Sequence, residues 1–295
     1  MCNARDLCWE SGILKDVFCC PMCKKPPTPV GTTLACKGCG RSYEMVDGLL
    51  DFFVAEGKYA IREDDEGRKW LKDATVDGRD LYYRHCTRRL KGMTFCMEEI
   101  SKRAFPGCRI LEVGMGTGHF TRWLSEVSDA NTEVYAFDFS WPIIHKAIAN
   151  TQGCAGVTCF RANARGPMPF KDETFDLVFI RLSAFQPSGS SKGVRERRVL
   201  DQLKPGGWYF DAGWKAEHCT PEDLIESGFT NVEHHRWQYP YVYEDEEHLG
   251  LELESGRTVE EAQSLIEERK REQNRNHGWE ALRGEHLLIA QKPTE

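Results

Sequence analysis

The sequence predicts an α/β protein, a mostly parallel sheet covered on both faces, with a small cysteine-rich module in front of it. Three observations predict this. From Arg109 onward, short apolar runs alternate with helical patterns, as expected of strands joined by crossover helices. The first apolar run is followed by three glycines at alternate positions, Gly114-Met115-Gly116-Thr117-Gly118. Two C-x-x-C pairs precede all of this, Cys20 to Cys23 and Cys36 to Cys39.

A chain of 295 residues can bury one sizeable core and still carry a small appendage. We divide it into residues 1–54 (the module), 55–105 (a charged, helix-prone linker or cap) and 106–295 (the sheet domain), with an acidic helical insertion at about 241–284. Hydrophobic residues make up 40% and charged residues 29%, and no apolar run approaches the roughly 20 residues that cross a bilayer. The start Met1-Cys2-Asn3-Ala4-Arg5-Asp6-Leu7 does not read as a secretory signal, so a cytoplasmic location is expected. Among the 13 cysteines, Cys86, Cys96, Cys108, Cys154, Cys159 and Cys219 stand singly in core-like or helical segments, the pattern of small buried hydrophobes in a reducing compartment.

The N-terminal cysteines read differently. Twelve residues separate two knuckles, which lets two tight turns present the thiolates of Cys20, Cys23, Cys36 and Cys39 to one tetrahedral ion, with Cys19 as a spare neighbour. Pro21, Gly38 and Gly40 suit the sharp turns, and Lys24-Lys25-Pro26-Pro27-Thr28-Pro29 suits a hairpin connection. A redox pair is the competing reading, but such motifs come singly. We assign structural Zn(II), because four thiolates close the coordination sphere, and metal binding would fold so short a segment. The stretch from Gly40 to Leu50 resembles the end of zinc ribbons on activator subunits of eukaryotic RNA methyltransferases and on many fused bacterial methyltransferases.

In the sheet domain, Ile110 to Val113 reads as the first strand. The helix after the glycine turn repeats Phe120, Trp123, Leu124 and Val127 on one face. Alternate glycines let backbone approach a ligand closely, and the helix start offers unpaired N–H groups, so a nucleotide-type cofactor is implied. A dinucleotide fingerprint would need glycine at His119. Instead Glu112-x-Gly114-x-Gly116-x-Gly118 resembles motif I of class I S-adenosylmethionine (SAM)-dependent methyltransferases. Its companions follow in order. Val134 to Phe137 is a second strand ending at Asp138, Ser140 caps a helix with Pro142 in its first turn, Met168-Pro169-Phe170 with Thr174 to Ile180 resembles the family's LPF loop and fourth strand, and Leu203-Lys204-Pro205-Gly206-Gly207 matches the turn opening the fifth.

The resemblance implies a Rossmann-like sheet whose last strand is antiparallel, with SAM as cofactor. By the same resemblance Glu112 orients the methionine end of SAM, Gly114, Gly116 and Gly118 wrap it, Asp138 holds the ribose and Phe139 lies along adenine. Asn163 or Ala164 stands where the family has an acid, and Asn163 is carried over as an amide partner for adenine. Arg181, at the end of the fourth strand, completes the cofactor set, and Tyr82 or Tyr83 is expected to reach the site. Methyl transfer is an in-line displacement that needs a general base only for a protonated acceptor. The candidates are His119, His145, Arg181 and the pair His234 and His235, each with an ordinary surface role as its alternative.

A ribbon before this domain resembles bacterial rRNA guanine methyltransferases. Lys15, Lys24, Lys25, Lys37 and Arg41 make the ribbon basic, and Arg84, Arg88, Arg89 and Lys91 form a second cluster that could meet phosphates. Against RNA, the segment 241–284 holds 12 acids and 6 Lys or Arg, most of the net charge of −7. It contains a capping box from Thr258 to Glu261 and a helix with Val259, Ala262, Leu265 and Ile266 on one face. We read it as a lid between two last strands, Val232 to Tyr239 and Glu285 to Gln291, with Trp237, Tyr239, Tyr241 and Tyr243 leading in. An acidic, aromatic-flanked lid suits a flat small molecule, and the domain also resembles ubiquinone and menaquinone methyltransferases. A small organic acceptor is therefore preferred. The alternatives are RNA and a noncatalytic SAM-binding partner.

Overall fold

The computed structural model describes residues 16–54, 73–127, 131–181, 193–213, 219–273 and 280–295. The start of the chain, much of the cap and the segment after Arg181 lie outside them.

Four short strands build the ribbon: β1 (Thr28–Val30), β2 (Thr33–Ala35), β3 (Ser42–Val46) and β4 (Leu49–Leu50), in that order and all antiparallel. The expected proline connection is corrected here. Pro29 is itself inside β1, opposite Leu34, and the turn falls at Gly31, whose φ of +60° needs no Cβ to be accommodated.

Seven strands form the main sheet. In chain order they are β5 (Arg109–Val113), β6 (Glu133–Asp138), β7 (Val157–Arg161), β8 (Phe175–Arg181), β9 (Leu203–Gly213), β10 (Thr230–Val242) and β11 (Glu280–Gln291). Their spatial order is β10-β11-β9-β8-β5-β6-β7. Strands β5 to β9 make up the parallel part, and β11 runs antiparallel to both β9 and β10. This is the expected Rossmann-like sheet with its antiparallel end. The chain winds outward from β5 to β7, then crosses back to β8 on the other side of β5. A crevice opens at such a reversal, at the carboxyl ends of β5 and β8.

Eight helices accompany the strands among the described residues. They are α1 (Asp73–Cys86), α2 (Lys91–Arg103), α3 (His119–Val127), α4 (Trp141–Asn150), α5 (Val194–Gln202), α6 (Pro221–Glu226), α7 (Asp245–Glu254) and α8 (Val259–Gln273). None is long and apolar enough to cross a membrane. Ile110, Val134, Leu177, Phe179 and Phe210 pack under α1, α2 and α3. On the other face, Leu111, Val113, Tyr135, Phe137 and Val178 share a core with Val17, Phe18, Leu34 and Phe52 of the ribbon.

Several local expectations need correction. Ser140 occupies the N-cap of α4, yet its side chain makes no capping bond. The Lys204-Pro205-Gly206-Gly207 segment lies within β9 rather than before it. The insertion holds two helices, and its flanking strands run to Val242 and from Glu280, so it is shorter than the sequence suggested. Thr258 and Glu261 do form the capping box, through bonds of 2.9 and 3.2 Å, but Val259 is 46% exposed while Ala262 and Ile266 face inward. The isolated cysteines behave as expected: Cys86, Cys96, Cys108, Cys159 and Cys219 are buried free thiols, and Cys154 is half-buried.

Candidate active site

The glycine turn sits in the crevice because β5 ends there. The backbone N–H groups of Gly114 and Met115 both donate to the Phe137 carbonyl at 3.0 Å, which ties the turn to the end of β6. Gly118 has φ +84°, and a Cβ there would lie 2.9 Å from the Ala147 backbone, so α4 can approach only a glycine. A Cβ on Gly116 would meet nothing within 4 Å. Backbone in a positive-φ turn facing open space is what a closely held ligand requires, and the buried Thr117 hydroxyl beside it has no partner.

Two buried carboxylates flank the turn. Asp138 accepts from the N–H groups of Gly116 (3.2 Å), Phe139 (2.7 Å) and Ser140 (3.3 Å). Burial nevertheless raises its carboxyl above the ordinary value, against the nearby Arg79 charge and these donors. Glu112, 2% exposed, accepts a 2.6 Å bond from the Thr121 hydroxyl. Burial pushes its carboxyl up to about 8, with Asp138 adding to the rise. Such acids await a polar ligand that would replace the lost water.

Helix α1 roofs this crevice. Its buried Asp80 accepts from His119 Nε2 (2.9 Å), from Asn150 Nδ2 (2.5 Å) and from Arg84, and Asn150 also donates to the Thr117 carbonyl at 2.7 Å. Burial would raise Asp80, but the His119 and Asn150 bonds outweigh it and hold its carboxyl low. His119 is thereby engaged in a latch joining α1, α3 and α4. Arg181, 7% exposed, ends β8 under the same roof, its guanidinium 5.0 Å from the Tyr83 ring centre, 4.6 Å from that of Phe120, and its Nε 3.2 Å from Met93 Sδ. Tyr83 is thus the tyrosine on the site side. The Tyr82 hydroxyl instead accepts from Arg283 at 2.6 Å.

Other candidates fall elsewhere. His145 is half-exposed on α4, stacked on Trp141 and 3.6 Å from Asp47 of the ribbon. His234 and His235 lie on β10, the strand furthest from β7, beside His286 and Trp237. Phe139 is half-buried, and its carbonyl accepts from Arg161 Nε at 2.8 Å. The Asn163 amide donates to the Val54 carbonyl (2.8 Å) and its oxygen accepts from Arg165 N–H (3.0 Å), a tie to the segment leaving the ribbon. Sequence reasoning missed Asp80 and Asn150, whose roles depend on partners 39 and 70 positions apart.

The charged clusters are largely paired with one another. Arg84 meets Asp80, Arg88 meets Glu126, Arg89 meets Glu244 and Glu247, and Lys91 lies over the Tyr239 ring. Within the insertion, Glu252 pairs with Arg257 and Arg269, and Asp245 with Lys270, while Glu254 meets Arg79 of α1. Lys24 donates to the Phe170 carbonyl at 3.0 Å, docking the ribbon. Arg79 and Arg89 each meet acids of the insertion, and the basic cluster is less available to phosphates. The aromatics anchor the insertion: Tyr241 donates to Glu247 at 2.9 Å and Tyr243 packs on His248.

In the ribbon, the sulfurs of Cys20, Cys23, Cys36 and Cys39 all lie within 4.8 Å of one another. The pairs Cys20–Cys39 and Cys23–Cys36 are 3.6 and 3.3 Å apart, near the about 3.8 Å expected around a tetrahedral ion with Zn–S bonds of about 2.3 Å. The donor set fits zinc.

Residues 110–207 match the methyltransferase domain family. This segment of the chain is a methyltransferase domain. Its curated relatives include the uncharacterized methyltransferase YcgJ of Bacillus subtilis, 29% identical over 129 residues (42% of this chain, 46% of that one). Another is the demethylmenaquinone methyltransferase of Lactiplantibacillus plantarum, 34% identical over 100 residues (33% and 41%). The chain thus spans less than half the length of these relatives. Among solved structures, phosphoethanolamine N-methyltransferase 2 of Haemonchus contortus, bound to S-adenosyl-L-methionine, shares the fold with a TM-score of 0.52 at 17% identity, covering 75% of this chain and 57% of that one.

Proposed function

We propose that this protein transfers the methyl group of SAM to a small organic acceptor, with Zn(II) as a structural ion in the ribbon. The observation that carries the acceptor class is the roof: Arg181, at the strand end where an acceptor would meet the cofactor, lies beneath α1 and against Tyr83 and Phe120. A covered site of this kind suits a molecule that can be enclosed, whereas an RNA strand needs an open groove lined with free cations. Arg84, Arg88 and Arg89 are each paired with an acid, which weakens the case for that cluster meeting phosphates, and the enclosure supports a small acceptor.

Asp138 would hold the ribose hydroxyls, Glu112 the methionine end, and the Gly114 to Gly118 backbone the rest of the cofactor. The cofactor's sulfonium supplies the methyl group when bound. The protein's own task is orientation, which can contribute roughly 7 to 11 kcal/mol, with water kept out by α1. Arg181, an obligate donor, suits an anionic or carbonyl-bearing acceptor better than a base role. Buried free thiols throughout the domain suit a reducing, cytoplasmic setting.

The test is transfer of labelled methyl from SAM to deproteinised rRNA and, separately, to a small-molecule extract. Label is expected in the small-molecule fraction alone. Label in rRNA would overturn the acceptor assignment, and label in neither would count against an active enzyme.

A further inference from the structure

We propose that the segment leaving the ribbon, residues 51–54, is the outer wall of the cofactor site at its adenine end, so that zinc in the ribbon and SAM in the crevice raise each other's affinity. This rests on the cofactor reading above.

The ribbon is stitched to the strand ends that form the crevice. Asp51 bridges to Arg161 at the carboxyl end of β7, and Phe52 N–H donates to the Arg161 carbonyl at 2.8 Å. Arg161 then fans out toward both sides. Its Nη1 lies 3.0 Å from Asp51 Oδ2 and its Nε donates to the Phe139 carbonyl at 2.8 Å, while its guanidinium lies 4.1 Å from the Phe53 ring centre and 5.1 Å from that of Trp141. Phe139 follows Asp138 directly, and Ala162 N–H donates to the Asp138 carbonyl at 3.1 Å, so this junction abuts the acid assigned to the ribose. One residue on, Asn163 donates to the Val54 carbonyl. A carboxylate, as the resembling family has at this position or the next, could only accept, so it could not make this bond. The departure from the family pattern is the tie to the ribbon.

A second contact reaches the glycine turn. Leu49 of β4 joins Met115, Ala136, Ile144, Ala147 and Cys159 in one buried cluster. Ribbon residues therefore support both the turn that would wrap the cofactor and the loop that would face its adenine. The metal orders the ribbon, which has little apolar core beyond what it shares with the sheet. A ligand that needs an ordered wall must then favour the zinc-bound state, and by linkage zinc must favour the ligand-bound state equally.

The experiment uses the full-length, zinc-loaded chain and S-adenosylhomocysteine, the demethylated product. Calorimetry measures its binding, and a chromophoric chelator follows zinc release with and without it. Saturating S-adenosylhomocysteine should slow zinc release about tenfold, within the range of ordinary coupling energies. In Asn163→Asp and in Asp51→Asn, each still holding one equivalent of zinc and melting cooperatively, product affinity should fall at least fivefold and the protection should shrink with it. Measurable binding with an unchanged release rate would overturn the coupling and leave the cofactor reading intact. Absence of any binding would overturn both. Variants that bind as tightly as the parent would show the wall is not used.

Discussion

At the scale of single residues, Glu112 shows most directly how burial prepares a site. Its place near the end of β5, just before the glycine turn, was legible from the motif, but its environment comes from the sheet, which removes it from water and leaves Thr121 as its donor. With a folded-state value of about 8, above that of an unfolded chain, the carboxyl contributes stability fully at pH below about 4.5, and that contribution is lost as pH rises through 8. The ligand-free protein should therefore lose stability relative to Glu112→Gln on going from pH 5 to pH 8, by on the order of a few kcal/mol. Denaturant unfolding of both proteins across that range checks it, and parallel pH profiles would refute it. Asn163 teaches the opposite lesson. Its type was visible as a departure from a motif, but its partner Val54 is 109 positions away and no local pattern connects them.

Among the elements, α7 was one the sequence hid. Its ten residues carry a central glycine and a run of acids, which read locally as a break and a solvated stretch. Tertiary packing reverses both signals. Gly250 lies against α1, where a Cβ would fall 2.6 Å from the Tyr82 backbone nitrogen and 2.7 Å from the Gly78 carbonyl, and a Cβ on Gly78 would fall 2.6 Å from the Glu254 nitrogen. Two glycines let the helices cross closely, and Glu247 and Glu254 find Arg89 and Arg79 across the crossing. Gly250→Ala should push α7 off the roof. We expect a loss of about 1 to 3 kcal/mol from overpacking, together with weaker binding of S-adenosylhomocysteine because α1 carries the Asp80 latch. An alanine variant with parental stability would mean that the helices separate without strain. The strands β5, β6 and β8, by contrast, were found close to their observed places, because period and turn chemistry are local.

For the whole molecule, the ribbon and the sheet are joined through one aromatic core. Phe18, 1% exposed, stacks 5.4 Å from both Phe52 and Phe170 and meets Phe160 and Tyr135 edge-on at 5.3 and 5.9 Å. The N–H of Cys19 donates to the Pro169 carbonyl, and Lys171 N–H to that of Val17. Phe18→Ala should destabilise the chain by about 3 to 5 kcal/mol in a single cooperative transition. A separate early transition that left the main one unmoved, seen by calorimetry, would show instead an independently melting ribbon.

What could be read directly from the residues is what short-range rules govern: the knuckle spacing that gathers four thiolates, the glycine turn after a strand, the acid ending the next strand, and the alternation that builds a parallel sheet. These depend on neighbours within a turn or a strand, and they were enough to name the domain family and its cofactor class. The arrangement of those parts was decided elsewhere. That acids of the insertion meet Arg79 and Arg89, that His119 serves a latch while Arg181 lies under the roof, and that the ribbon supports the crevice all follow from contacts spanning tens to more than a hundred positions. Burial and charge pairing are properties of the packed chain, and composition counts charges without knowing which of them meet.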